Sequence, residues 1–393
     1  MRTIALFLAA LTLTFGFVVN TYADDTVATA EDANSVSSAR KELETAAANA
    51  KLNLARLQER MNEFESRATN SGITPKQVSD SYSRLTELLV ATRNGPHFDT
   101  VTRQRLVELV MHNIARPTKI DQGAHPTCNV TTLEVYTAAR HPDVYADLVK
   151  QVALTGEYET RTNETVHIPK AALMPGDDEK SFDMDKPASN KRNHASQIIQ
   201  MTFINGVYET GRYHSTDHQG KKIDCTGYRY VMGPPVKTWF TLPDGNRAFT
   251  TDEDKLIDGN GKQIRDIQGQ LSTSPIFIGT DVLAASEMVL GYKMPYLNSP
   301  YKVENQPWVF DLPTKERLLK FKKDGQFPLG VPTRRGNHVQ TIHDVIEENG
   351  NVWILIDNQH GEKEDGWITL GELHKTMQDA NYDLKTRKER PNK

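Results

Sequence analysis

Cysteine is scarce: two in 393 residues. That excludes a disulfide-dense fold and a four-cysteine zinc site. A basic excess is missing too, since Lys+Arg is 47 against Asp+Glu 51, a net charge of −4. Proteins that grip phosphates carry surplus cations, so no nucleic-acid partner is expected. Beyond the first 20 residues no apolar run is long enough to span a bilayer. No internal repeat is present. Apolar residues are not scarce. At 37% of a chain this long they suffice for a sizeable core and for more than one domain.

The first 23 residues read as a secretory signal peptide. Arg2 supplies the positive end, Ile4 to Val19 the apolar run, and Thr21-Tyr22-Ala23 a small-residue cleavage site before Asp24-Asp25. The expectation is a secreted or periplasmic protein with no stable membrane insertion after cleavage. Residues 24–37 are rich in Ala, Thr, Ser and Asp and read as a flexible leader. A helical N-terminal region follows over 38–116. Leu43, Ala47, Ala50, Leu54, Leu57, Met61 and Phe64 repeat at alternating steps of four and three, one seam on a single helix from Ala39 to Phe64. Thr74, Pro75 and Gln77 open a second helix with a capping box, striped by Val78, Tyr82, Leu85 and Leu89. A third runs from Thr100 to Ala115 and stops before Pro117. Three readings stay open for this region: a hairpin packed on the rest of the chain, a coiled coil for helix-mediated self-association, or an inhibitory pro-segment.

From Gly156 to about Gly330 the chain has short aromatic and β-branched runs, among them Thr238-Trp239-Phe240-Thr241 before the turn Pro243-Asp244-Gly245-Asn246. Asp258-Gly259-Asn260-Gly261 reads as a second turn, because the calcium-loop pattern lacks its Glu. The last third reads as strands. Val339, Thr341, His343 and Val345 alternate with Gln340, Ile342, Asp344 and Ile346. Asn349-Gly350 makes a hairpin turn, Val352 to Ile356 returns, and Trp367 to Leu370 adds a short strand. Residues 373–393 read as a tail, basic from Lys385.

Two segments carry chemistry. In the first, Asp121-Gln122-Gly123-Ala124-His125-Pro126-Thr127 runs into a helix headed by Cys128, with Leu133, Tyr136 and Ala139 on its buried face. A helix N-terminus favours negative charge, so the thiol there is expected to ionise more readily. The Gln122 amide can fold back as an oxyanion donor. In the second, His338 opens one hairpin strand and Asn358 follows its return strand. The ends of an antiparallel pair lie side by side, so imidazole and amide can meet as base and orienter.

The order Gln, Cys, His, Asn, with Asp121-Gln122-Gly123 before the cysteine and Trp353-Ile354-Leu355-Ile356 before Asn358, resembles the papain-like cysteine peptidases. The resemblance covers roughly residues 118–140 and 334–372. It implies an α+β papain-like fold, a catalytic domain over 117–372 with a large insertion around 156–330, and a thiol hydrolase acting on peptide or amide bonds. It implies Cys128 as nucleophile, His338 as base, Asn358 as its orienter and Gln122 in the oxyanion hole. The substrate would be a protein or peptide, and no cofactor or metal is called for. Three family features are missing: the disulfide cysteine before Cys128, the tryptophan after it, and the tryptophan that shields the Asn–His contact, where His360 stands.

Rival readings remain. The same fold hosts deamidases and transglutaminase-like effectors, and a degenerate one can be a binding protein. Cys128 can pair with Cys225 instead of reacting. Asp357 rivals Asn358, although strand alternation turns it away. His214, His218 and Cys225 have metal-ligand chemistry, but flanking glycines argue for a loop. Asn129-Val130-Thr131 and Asn163-Glu164-Thr165 match glycosylation sequons.

Overall fold

The architecture is α+β, in a computed structural model. It describes residues 30–382, apart from 93–97, 124, 186–190, 213–228, 232–236, 242–246, 252–254, 259, 261, 265–278, 299–300, 303–307, 337 and 360–364, with 384, 386 and 389. The signal-peptide segment, the His214–His218 cluster and Cys225 lie outside the described residues.

Six helices lead the chain: α1 (Ala30–Asn49), α2 (Leu54–Ser71), α3 (Pro75–Val90), α4 (Thr100–Ala115), α5 (Cys128–Arg140) and α6 (Pro142–Thr155). The expected leader is therefore shorter, because residues 30–37 are already helical. The single seam from Ala39 to Phe64 is cut into two helices. Lys51 takes the left-handed conformation (φ 59°), and the N–H of Leu52 bonds back to Ala47 O at 3.0 Å. This is a Schellman stop with lysine where glycine is usual. Asn53 then caps α2 by accepting the Arg56 N–H. α3 begins as expected, with Pro75 first and the Thr74–Gln77 capping box closed. α4 spans the expected residues and is capped by Asp99.

Leu43, Ala47, Leu57, Met61 and Phe64 are buried in the chain's own core. The seam is thus used internally, where a dimerising coiled coil would present it outward. One continuous apolar cluster joins α1–α6 to the helix His194–Glu209 and the helix Gly279–Leu290. The stretch read as an insertion thereby contributes central structure, since His194–Tyr208 is buried at every position. The expected Thr238 hairpin is present as strands Lys237–Thr241 and Arg247–Thr251. Asp258 Oδ1 accepts the backbone N–H groups of Asn260 and Lys262, which forms the second turn.

The second layer is a four-stranded antiparallel sheet. Its spatial order is Gly366–Thr369, Asn351–Asp357, His338–Glu348, Leu329–Thr333. Asn349 and Gly350, both at positive φ, turn the central hairpin. The alternation expected from Val339 onward fails after Ile342. The register shifts between Ile342 and Asp344, so His343 is a bulge residue and Ile342 and Val345 enter the same core. That core also takes Leu318 from the helix Lys315–Lys323, and Leu373 and Met377 from the helix Leu370–Gln378. The tail expected from 373 is thus a packed helix as far as Gln378. Gly330 lets the edge strand approach α5, since a Cβ there would meet the Tyr296 ring at 2.4 Å and the Thr132 methyl at 3.0 Å.

The N-terminal helices hold α5 by its carbonyl end. Arg67, on α2, donates to Ile114 O at 2.6 and 3.1 Å, Ala139 O at 2.8 Å and Ala138 O at 3.2 Å. Burial, with the nearby Arg140, lowers its pKa to about 10. A cation at two helix C-termini satisfies carbonyls that have no partner within the helix. Replacing Arg67 by Met strands these acceptors and is expected to cost about 2–4 kcal/mol of stability in urea unfolding. Arg56, paired with the half-exposed Asp185, is the control and should cost under about 1 kcal/mol. Equal losses would show that Arg67 is not a structural anchor.

Candidate active site

The loop before Cys128 is shaped by its own polar groups. Asp121 Oδ1 accepts the Gly123 N–H at 2.8 Å, and Gly123 sits at φ 68°. A Cβ on Gly123 would lie 3.1 Å from the Arg192 Cβ, so glycine suits both the turn and the close approach. Gln122 Nε2 donates to His125 O at 2.7 Å. Thr127 Oγ1 donates to Gln200 Oε1 at 3.0 Å.

Below this loop lies a buried polar floor. Gln200 also receives Arg192 Nη1 at 3.1 Å, and its Nε2 donates to Glu134 Oε2 at 2.8 Å. Glu134 in turn accepts from the Tyr145 hydroxyl at 2.8 Å. Burial pushes the Glu134 carboxyl up, against hydrogen bonds from Ser196, Gln200 and Tyr145. Burial opposes charge on Glu179 as well, but Arg192 and His125 outweigh it and hold that carboxyl far below its usual range. α5 is consequently buried on all sides from Val130 to Ala139, well beyond the expected stripe of Leu133, Tyr136 and Ala139. Two residues of the Asn129 sequon lie in this packing, because Val130 and Thr131 are fully buried, whereas Asn163 is exposed in a turn.

Cys128 is a free thiol with partial exposure. Burial raises its pKa, and the backbone N–H groups of Val339, Asn129 and Cys128 itself only partly oppose that. The expected easy ionisation at the helix N-terminus is therefore reversed. Desolvation penalises the thiolate more than the first-turn amides stabilise it. The Val339 amide at the sulfur brings the cysteine beside the start of the His338 strand. The return strand pairs with it as far as Asp357 opposite Thr341.

The hairpin ends meet as the sequence suggested. His338 Nε2 lies 2.6 Å from Asn358 Oδ1. The Asn358 N–H donates to Asp365 Oδ1 at 3.1 Å. Asp357 faces elsewhere: its Oδ2 is 3.1 Å from His343 Nε2, and its Oδ1 accepts the Gln359 N–H at 2.7 Å.

Two site residues went unnoticed in the sequence. Gln340 Nε2 donates to Asn358 Oδ1 at 2.6 Å. It stands two residues after His338 on the same strand, so period-two spacing places both on one face. Gln359 has no comparable local signal. It is buried at φ 61°, and its Nε2 donates to Thr132 Oγ1 at 2.7 Å and to Thr341 Oγ1 at 2.6 Å. Its carbonyl accepts the Gln122 N–H at 3.0 Å. One residue thus ties the cysteine helix, the histidine strand and the Gln122 loop together.

Chemically, the arrangement sets the Cys128 thiol beside the amide that follows His338, whose ring meets the Asn358 amide. Among the described residues no group of three or more His, Cys, Asp or Glu side chains is arranged to hold a metal ion. No family model matches the chain, and comparison with curated proteins and with solved structures finds no match.

Two outcomes are expected here. Gln359→Ala loses both hydroxyl contacts and must keep a left-handed backbone. Gln359→Gly loses the same contacts without that strain, so it should be the more stable of the two by about 1 kcal/mol in urea unfolding. The reverse order would show that the backbone at 359 relaxes freely. Alkylation of native Cys128 should be slow at pH 6–7 and rise with an apparent midpoint above about 8.5, the ordinary thiol value. A rate already at its plateau at pH 5 would mean a preformed thiolate.

Proposed function

We propose that the chain is a papain-like thiol hydrolase that cleaves peptide or related amide bonds. The observation that carries this reading is the His338–Asn358 contact at the strand end whose next amide, Val339, touches the Cys128 sulfur. The division into a helical half bearing Cys128 and an antiparallel half bearing His338 supports the same reading, as does the order Gln122, Cys128, His338, Asn358. Export through residues 1–23 belongs to the proposal, carried by their sequence alone.

A carbonyl oxygen only accepts, so Asn358 Oδ1 keeps a proton on His338 Nε2. In the neutral ring the lone pair then lies on Nδ1. In the proposed reaction Nδ1 takes the thiol proton as sulfur bonds to the substrate carbonyl carbon. The carbonyl π pair moves to oxygen, where a Gln122 N–H can donate. The imidazolium gives its proton to the leaving nitrogen as the C–N bond breaks. Water, deprotonated by His338, then cleaves the thioester and frees the acid and the thiol. The raised thiol pKa makes proton removal by His338 part of the attack, as in general-base catalysis.

The same raised pKa is also what a non-catalytic binding protein would show, and activity separates the two. Against a panel of peptide and amide substrates, Cys128→Ala should abolish turnover. His338→Ala should lower kcat/KM by about 10²–10⁴-fold. Full activity in Cys128→Ala would sink the hydrolase reading. Release of ammonia without chain cleavage would replace it by a deamidase.

A further inference from the structure

We propose that Gln340 is a positioning residue that sets the tautomer of His338 through Asn358. Its catalytic meaning rests on the hydrolase reading; its structural content does not. Asn358 Oδ1 has two lone pairs, and two donors meet it, His338 Nε2 and Gln340 Nε2, both at 2.6 Å. His338, Asn358 and Gln340 are all buried, at 6%, 1% and 2% exposure. In such surroundings a mismatched donor or acceptor is costly.

Turning the Asn358 amide over would aim its Nδ2 at both neighbours. Against Gln340 that sets donor against donor. Against His338 it would require Nε2 to accept, which moves the ring proton to Nδ1. That nitrogen could then no longer take a proton from the thiol. Gln340 disfavours this state from the far side of Asn358. Among the described residues its own Oε1 has no hydrogen-bond partner, so its side chain is held through what it donates to. It also fills the lone pair that water would otherwise approach. A joint reversal of both amides would put the Gln340 Nε2 where its Oε1 now lies, without an acceptor among the described residues. A buried donor left unpaired is costlier than a buried carbonyl left unpaired, so the reversed state with the opposite tautomer of His338 stays minor.

The tautomer is directly measurable by ¹⁵N NMR of the full chain labelled at histidine, recorded above the imidazole pKa. Wild type should show His338 as the Nε2–H form. Gln340→Met, close in size but without a donor, should lower the ratio of Nε2–H to Nδ1–H about five- to tenfold, the worth of one net hydrogen bond. An unchanged ratio in folded Gln340→Met would overturn the proposal. If that variant fails to fold, the wild-type spectrum decides, because a His338 carrying its proton on Nδ1 overturns it alone. The measurement needs no substrate. A chain without amide hydrolysis but with the expected tautomer shift would lose the hydrolase reading and keep this one.

Discussion

One buried amide joins the two layers at the site. Gln359 reaches from the end of the return strand to Thr132 on α5 and Thr341 on the histidine strand, and its backbone carbonyl holds the Gln122 loop. The geometry around Cys128 depends on that junction, because cysteine and histidine come from different cores. The helical cluster and the sheet cluster are separate apolar bodies. Apolar packing is non-directional and can set their separation but not their register. Hydrogen bonds in a low-dielectric setting can set it. Gln122, Gln340 and Gln359 behave alike here: each donates from Nε2, and among the described residues each Oε1 has no partner. The junction is thus built from donors facing oxygen acceptors.

Local features of the fold were legible in the sequence, and distant ones were not. Thr74, Pro75 and Gln77 announce a helix start within four residues, and it forms there. Asn349-Gly350 announces a hairpin, which carries His338 and Asn358 to one end. The break at Lys51 was hidden because the left-handed position holds lysine instead of glycine. The bulge at His343 was hidden because strict alternation fits the residues equally well. The joining role of Gln359 lies in contacts of its side chain and carbonyl with residues far away in sequence. Cys128 shows the limit of a local rule. The helix N-terminus does favour its thiolate, but burial decides the sign, and the elements that bury α5, among them the strand His338–Glu348 and the helix His194–Glu209, come much later in the chain.

The N-terminal helices are part of the same body as the cysteine helix. Arg67 closes the carbonyl end of α5, while the floor of Glu134, Gln200 and Thr127 fixes the other end. An element held at both termini by buried polar contacts has little freedom to tilt. The position of the sulfur then follows from packing laid down on every side of the helix.

The raised thiol pKa of Cys128 has a bearing on chemical durability. Oxidants and adventitious electrophiles react with the thiolate far faster than with the thiol. A cysteine kept protonated by its surroundings therefore ages slowly while idle. In the proposed reaction its nucleophilicity is released only when a carbonyl compound is in place and His338 removes the proton. Burial of this kind keeps the sulfur in its slower-reacting, protonated form.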